Sequence, residues 1–158
     1  MKEFNISDNL RSSAFLTVKC EDKVNTMTIG WGFEGVIWQK NVFVILIKDM
    51  HYTYELMENT DFFTVSFPEK GAKKEALAYF GSNSGRKINK YESGLIDLLE
   101  ASSVDGYIVE GCIKNYECKI LYRQKLLKEL FLTDIKQENL HSDGDLHTMI
   151  IGEIISSY

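Results

Sequence analysis

An antiparallel β-barrel with a few helices on its rim is the architecture this sequence predicts. Strand patterns outnumber helical ones, there is no regular βαβ alternation, and no internal repeat is present, so doubly wound and solenoid folds are disfavoured. A chain of 158 residues, 44% hydrophobic and 12% aromatic, suits one domain over 1–158 with a single sizeable core.

Residues 1–12 are polar and mixed, an arm expected to pack on the barrel or on a partner subunit. Ala14 to Cys20 reads as the first strand, and Glu21-Asp22-Lys23 as the turn into a second over 24–31. There Thr26 and Thr28 alternate with Met27 and Ile29, the period-two pattern of one wet face and one packed face. Gly30 and Gly32 flank Trp31, and glycine within a strand pattern marks a bulge or a close approach of backbone or ligand. A turn around Glu34-Gly35 leads to short strands over 36–38 and 42–48, the latter β-branched and too short for a helix, hence buried.

Between Thr53 and Asn59, Tyr54, Leu56 and Met57 stand at helical spacing. Asp61 to Phe67 is the next strand, stopped by Pro68, the single proline. A helix follows with Ala76, Leu77, Tyr79 and Phe80 inward, then the small polar loop Gly81-Ser82-Asn83-Ser84-Gly85. A helical pattern runs from Ile88 to Leu99. Tyr107 to Leu121 reads as two strands around Lys114-Asn115, with Glu110, Cys112, Cys118 and Ile120 toward the core. In 122–139, Leu126, Leu127, Leu130 and Phe131 fit a helix, and Met149 to Ile155 is the closing strand.

Charge and cysteine content exclude several function classes. A net charge of −5 without a long basic run gives no electrostatic support for a nucleic-acid or anionic-membrane partner. Cys20, Cys112 and Cys118 form neither a CxxC pair nor an even set, so they read as reduced, mostly buried thiols. The first residues lack a signal-peptide core, and no stretch approaches the roughly 20 apolar residues of a membrane span. A soluble, cytoplasmic protein is expected.

Two polar clusters can hold an anion. Lys48, His51 and Thr53 bring cations and a hydroxyl to the exit of a buried strand. Arg86, Lys87 and Lys90 follow the Ser82/Ser84/Gly85 loop in the first turn of the predicted helix. There they oppose the helix dipole unless an anion is bound, and amides freed at such a junction also bind anions. The plain alternatives are a solvated strand end and an ordinary helix start. His141, His147, Asp143 and Asp145 lack a further strong ligand at a defined spacing, so no metal site is expected. No Ser-His-Asp or Cys-His arrangement can be assembled, and Cys118 reads as a core thiol.

Several short motifs in register carry a more specific signal. Asn25-Thr26-Met27-Thr28 with Gly30-Trp31-Gly32, then His51-Tyr52-Thr53-Tyr54-Glu55-Leu56, Phe63-Thr64-Val65 before Pro68, Gly81 to Arg86, Glu110, Glu117-Cys118-Lys119, and Asp145 to Met149 with Gly152-Glu153-Ile154 span nearly the whole chain. In this order they resemble the flavin reductase-like, FMN-binding split-barrel family, which includes flavoredoxins and flavin reductases. The chain departs from the family pattern at His51, where members often carry arginine, and at Lys87, where they often carry aspartate.

The resemblance implies a split, Greek-key barrel, an irregular connection with a short helix over 122–139, and a homodimer with FMN in clefts at the subunit interface. It implies that Asn25, Thr26, Met27 and Thr28 lie along the flavin ring, and that Lys48, His51, Tyr52, Thr53, Ser82, Ser84, Gly85 and Lys90 complete the cofactor site. No catalytic residue is assigned beyond His147, a candidate that would face flavin or substrate. The implied activity is an FMN-dependent oxidoreductase fed by NAD(P)H or a small redox partner, with chemistry on the ring and no catalytic acid or base required. No GxGxxG fingerprint is present, so a nicotinamide would stack directly on the flavin, its phosphates near Arg86 or Lys87. A non-enzymatic electron carrier, a pyridoxamine-phosphate-oxidase-like enzyme and a haem- or ligand-binding split barrel remain the alternatives.

Overall fold

Alternating side chains built the expected strands into one curled antiparallel sheet. The computed structural model describes residues 4–132 and 146–158. Helix α1 (Ile6–Arg11) precedes β1 (Ala14–Cys20), β2 (Lys23–Ile29), β3 (Gly32–Ile37) and β4 (Lys40–Lys48). Then come α2 (Tyr52–Met57), β5 (Phe62–Phe67), α3 (Lys74–Ser82), β6 (Leu98–Glu100), β7 (Tyr107–Val109), β8 (Lys114–Lys125) and β9 (His147–Ser157). Seven strands pair in the order β2-β1-β5-β8-β9-β4-β3, while β6 and β7 form a separate hairpin.

The two strands at the ends of that order, β2 and β3, follow each other in the chain through Gly30-Trp31. The sheet therefore curls around one face, where Leu16, Val18, Phe43, Ile45, Val65 and Ile150 are buried in a common cluster. Gly152 is needed there: a Cβ on it would come 2.5 Å from the Phe63 ring. Phe15 points outward to a second cluster with Ala76, Phe80 and Val109, so α3 and the β6–β7 hairpin cover the outside of β1. No helix among the described residues is long and apolar enough to cross a membrane.

Several expectations are corrected. The β3–β4 turn is Trp38-Gln39, both at positive φ (53° and 60°), not Glu34-Gly35, which lie inside β3. A two-residue hairpin loop with both residues left-handed matches the strand twist, and here the pairing of Ile37 with Lys40 imposes it on residues that do not favour it. The apolar run from Ile88 to Leu99 is not an α-helix; it is a 3-10 turn over Lys90–Ser93 followed by β6. Leu95, Ile96 and Leu98 pack against α3 and Val109 from that irregular path, so tertiary burial overrode the helical spacing.

The turn between β7 and β8 lies over 110–113, which leaves Glu110 exposed rather than in the core and puts Lys114-Asn115 within β8. β8 runs on to Lys125 and is followed by a 3-10 turn at Lys128–Leu130; the rest of 122–139 from 133 onward lies outside the described residues. His141, Asp143 and Asp145 also lie outside them.

Candidate functional site

Three segments distant in sequence meet on one side chain. Asn25, on β2, is 4% exposed and donates from Nδ2 to Thr53 Oγ1 at 2.7 Å, reaching the first turn of α2. Its Oδ1 lies against Gly85, where an added Cβ would come within 2.1 Å of it. Only a residue without a side chain lets the loop after α3 close this far onto β2.

The junction divides a groove into two clefts. One, of about 300 Å³, is lined by Met27, Met50, His51, Thr53, Ser82 and Ser84 among others. The other, of about 390 Å³, continues past Gly85 over Lys23, Ile88, Asn89 and Tyr91. Both are bordered by Asn25, Tyr52, Gly85, Arg86, Lys87 and Lys90.

Lys90 dominates the electrostatics of that shared wall. It is 2% exposed, its ammonium donates to the Phe80 carbonyl at 3.2 Å, and it lies 5.2 Å from the Phe80 ring centroid. Burial pushes its pKa down to about 8. Phe80 belongs to the last turn of α3, whose electronegative end partly compensates the charge.

Arg86 is engaged elsewhere, paired with Glu55 at 2.6 Å and 5.5 Å from the Tyr52 ring centroid. Lys87 is exposed at the rim of both clefts.

The residues proposed from sequence divide into two groups. Asn25, Met27, His51, Tyr52, Thr53, Ser82, Ser84, Gly85 and Lys90 all line the first cleft. Thr26 and Thr28 turn the other way. Their expected wet face is covered: the Thr26 hydroxyl bonds Thr17 Oγ1 (2.8 Å) and the Tyr91 hydroxyl (2.9 Å), and Thr28 donates to the Leu77 carbonyl at 2.6 Å.

Lys48 and His147 are neighbours across β4 and β9, both buried, with the His147 ring 4.6 Å from that of Trp31; neither lines the two clefts. The Gly81–Gly85 loop also differs from expectation, because Gly81 and Ser82 are still helical and the segment that follows holds a 3-10 turn rather than an α-helix. It leaves a helix C-terminus and turns through Lys87 N–H to Ser84 O at 3.0 Å, so cations rather than helix-terminal amides supply the positive charge.

Two important residues carried little signal. Tyr91, lifted to about 12 by burial, joins the cleft wall to Thr26 from within what read as a helix. Glu117 is fully buried and accepts from Ser102 N–H (2.8 Å) and hydroxyl (3.1 Å), Ser103 N–H (2.6 Å) and the Tyr158 hydroxyl (2.6 Å). Those donors hold its carboxyl below the usual range although desolvation opposes them. A charge flanked by Tyr116 and Cys118 in a strand was the available hint of a second buried face.

Comparison with known proteins adds the family context. The model of the flavin reductase like domain matches residues 11–158. A relative from Archaeoglobus fulgidus, described as an uncharacterized protein, is 27% identical over 141 residues, covering 89% of this chain and 68% of its own. Among solved structures, an FMN-binding protein from Thermus thermophilus superposes with a TM-score of 0.71 at 23% identity, over 92% of this chain and 68% of that one. A flavoredoxin from Methanosarcina acetivorans gives 0.68 at 24% identity over 100% and 75%. An NADH:FAD oxidoreductase from Streptomyces globisporus gives 0.71 at 15% over 92% and 73%. At these identities the structures establish the shared split-barrel fold.

Proposed function

The chain belongs to the flavin reductase like domain family, and on that premise we propose that it is an FMN-dependent oxidoreductase that passes electrons from NAD(P)H or a redox partner to an acceptor. Lys90 is the observation that carries this reading. A buried ammonium with a carbonyl as its hydrogen-bond partner is costly, and an anion in the adjoining cleft offsets that cost. A phosphate monoester carries about −1.5 to −2 charge at pH 7, which Lys90 and Lys87 together match.

The described residues fit such a group. Thr53 offers a hydroxyl, Ser84 a second, and Met27 and Met50 an adaptable apolar wall for a flat ring system. When bound, FMN would supply the redox chemistry through its ring. The chain's part is to hold the phosphate end at Lys90 and Thr53, to orient the rest along β2, and to present it to a second reactant from the open side of the cleft. The names of the structural relatives, an FMN-binding protein, a flavoredoxin and an NADH:FAD oxidoreductase, support a flavin ligand.

A homodimer is part of the proposal, supported by Trp38 (60% exposed), Phe33, Val36 and Tyr122, exposed apolar side chains around β3 and β8. An obligate interface of roughly 2,000 Å² or more would bury them. Light scattering should then report about twice the 18.2 kDa of one chain; a mass of one chain at micromolar concentration removes this part.

The central test is titration with FMN and riboflavin, with FMN expected to bind tighter by orders of magnitude, since several charge-assisted bonds of about 1.5 to 3 kcal/mol each are at stake. Equal affinity refutes the phosphate assignment. Anaerobic mixing of the FMN-loaded protein with NADH and NADPH then tests the donor: rapid bleaching supports a reductase, and bleaching by dithionite alone supports an electron carrier.

A further inference from the structure

We propose that Asn25 is a positioning residue which, seated against Gly85, leaves the Thr53 hydroxyl proton available for donation into the cleft and so favours a fully ionised acceptor such as a phosphate monoester. The proposal rests on the flavin-mononucleotide reading above and specifies how the site would tell a phosphorylated flavin from an unphosphorylated one.

A hydroxyl has one proton and two lone pairs. At Thr53 one lone pair is taken by the Asn25 amide N–H at 2.7 Å. The Thr53 proton has no acceptor among the described residues: a helical threonine often bonds back to the carbonyl four residues earlier, and Thr53, the second residue of α2, makes no such bond. Both side chains are buried, Thr53 with 1% exposure, and both line the cleft that Lys90 also borders.

Gly85 completes the device. With Asn25 Oδ1 seated against it, the amide lies between the loop and α2 with Nδ2 toward Thr53. The Asn25 N–H can only donate, so it cannot take the Thr53 proton, which is left for an acceptor in the cleft. A dianionic phosphate, which only accepts, satisfies it; the terminal hydroxyl of riboflavin gains far less because its bond is not charge-assisted.

The experiment measures dissociation constants for FMN and riboflavin in the wild type and in Asn25→Asp, Thr53→Val, Thr53→Ser and the double variant Asn25→Asp/Thr53→Val, each checked for folding by circular dichroism. Aspartate is nearly isosteric but accepts, so it takes the Thr53 proton and leaves only lone pairs facing the cleft. Asn25→Asp is expected to reduce the preference for FMN over riboflavin by roughly 10- to 100-fold, the span of one charge-assisted bond, with FMN affinity falling much more than riboflavin affinity. Thr53→Val should do the same, and Thr53→Ser should retain the wild-type ratio.

If Asn25 acts through Thr53, the double variant loses less than the product of the two single losses. Multiplicative losses, an unchanged ratio in Asn25→Asp, or equal loss for both flavins overturns the positioning role while leaving flavin binding intact. A wild type that binds neither flavin overturns the parent reading and this one together.

Discussion

Lys90→Met removes a buried ammonium and keeps most of its apolar stem, and the structure gives this change an unusual sign. Burial lowers the Lys90 pKa from 10.5 to about 8. At about 1.4 kcal/mol per unit, with some allowance for partial hydration at the cleft wall, the folded state carries its charge at a cost of about 2 to 3 kcal/mol. Below pH 8 both folded and unfolded chains hold the proton, so the whole cost is present. Between about 8 and 10.5 the unfolded chain binds more protons than the folded one, and stability rises with pH across that window.

Flavin-free Lys90→Met should therefore be more stable than wild type at pH 7, by about 2 kcal/mol. The advantage should shrink as the pH is raised through 8 to 10.5. FMN should invert the order: at about one hundred times its dissociation constant it stabilises the wild type by about 2.7 kcal/mol, and the variant far less. Urea denaturation of both proteins at pH 7 and pH 10, with and without FMN, measures these stabilities. A flavin-free variant that is destabilised at pH 7, beside a wild type whose stability does not change between pH 8 and 10.5, would refute the reasoning. The bond to the Phe80 carbonyl at the end of α3 would then outweigh the desolvation.

Glu117→Ala leaves the Ser102 and Ser103 amides and the Tyr158 hydroxyl without their shared acceptor, and should cost more than about 3 kcal/mol in urea denaturation. Because the Glu117 carboxyl titrates below its usual value, its stabilising effect is present above the unfolded-state pKa and is lost as the pH falls through the folded one. Wild type should lose stability on acidification over that range more steeply than Glu117→Gln. Gly152→Ala places a Cβ 2.5 Å from the Phe63 ring and 3.0 Å from Cys118 Cβ in the barrel interior, and should lower stability by about 1 to 3 kcal/mol; an unchanged melting temperature would show that β9 can yield there. Gln39→Gly relieves a left-handed residue at the β3–β4 tip and should stabilise by about 0.5 to 1 kcal/mol in the same assay.

Local patterning made much of the fold legible. β1 and β4 follow directly from the largely apolar run Ala14–Val18 and the β-branched run at Val42–Ile47, and Pro68 ends β5 because it cannot continue the ladder. Most of the cleft was also legible, since short hydroxyl, amide and cationic residues at Asn25, Thr53, Ser84 and Lys90 suit an anion wherever they converge.

Long-range covering decided the rest. Thr26 and Thr28 alternate as a wet face should, and only α3 and Tyr91 lying across them turn that face into an interior one. Trp38-Gln39 became the turn because the β3–β4 register put it there, against the local preference for glycine at Gly35. The 88–99 run carries helical spacing, yet Ile96 is buried, and Leu95 and Leu98 partly so, from a 3-10 turn and a short strand against α3 and β7, while Ile88 and Leu99 stay exposed. Periodicity records which side chains share a face, because that depends on neighbours a few residues away. Whether the face meets water, and whether Lys90 pays for its charge or Asn25 reaches Thr53 and Gly85, depends on segments tens of residues distant, and only their packing brings those together.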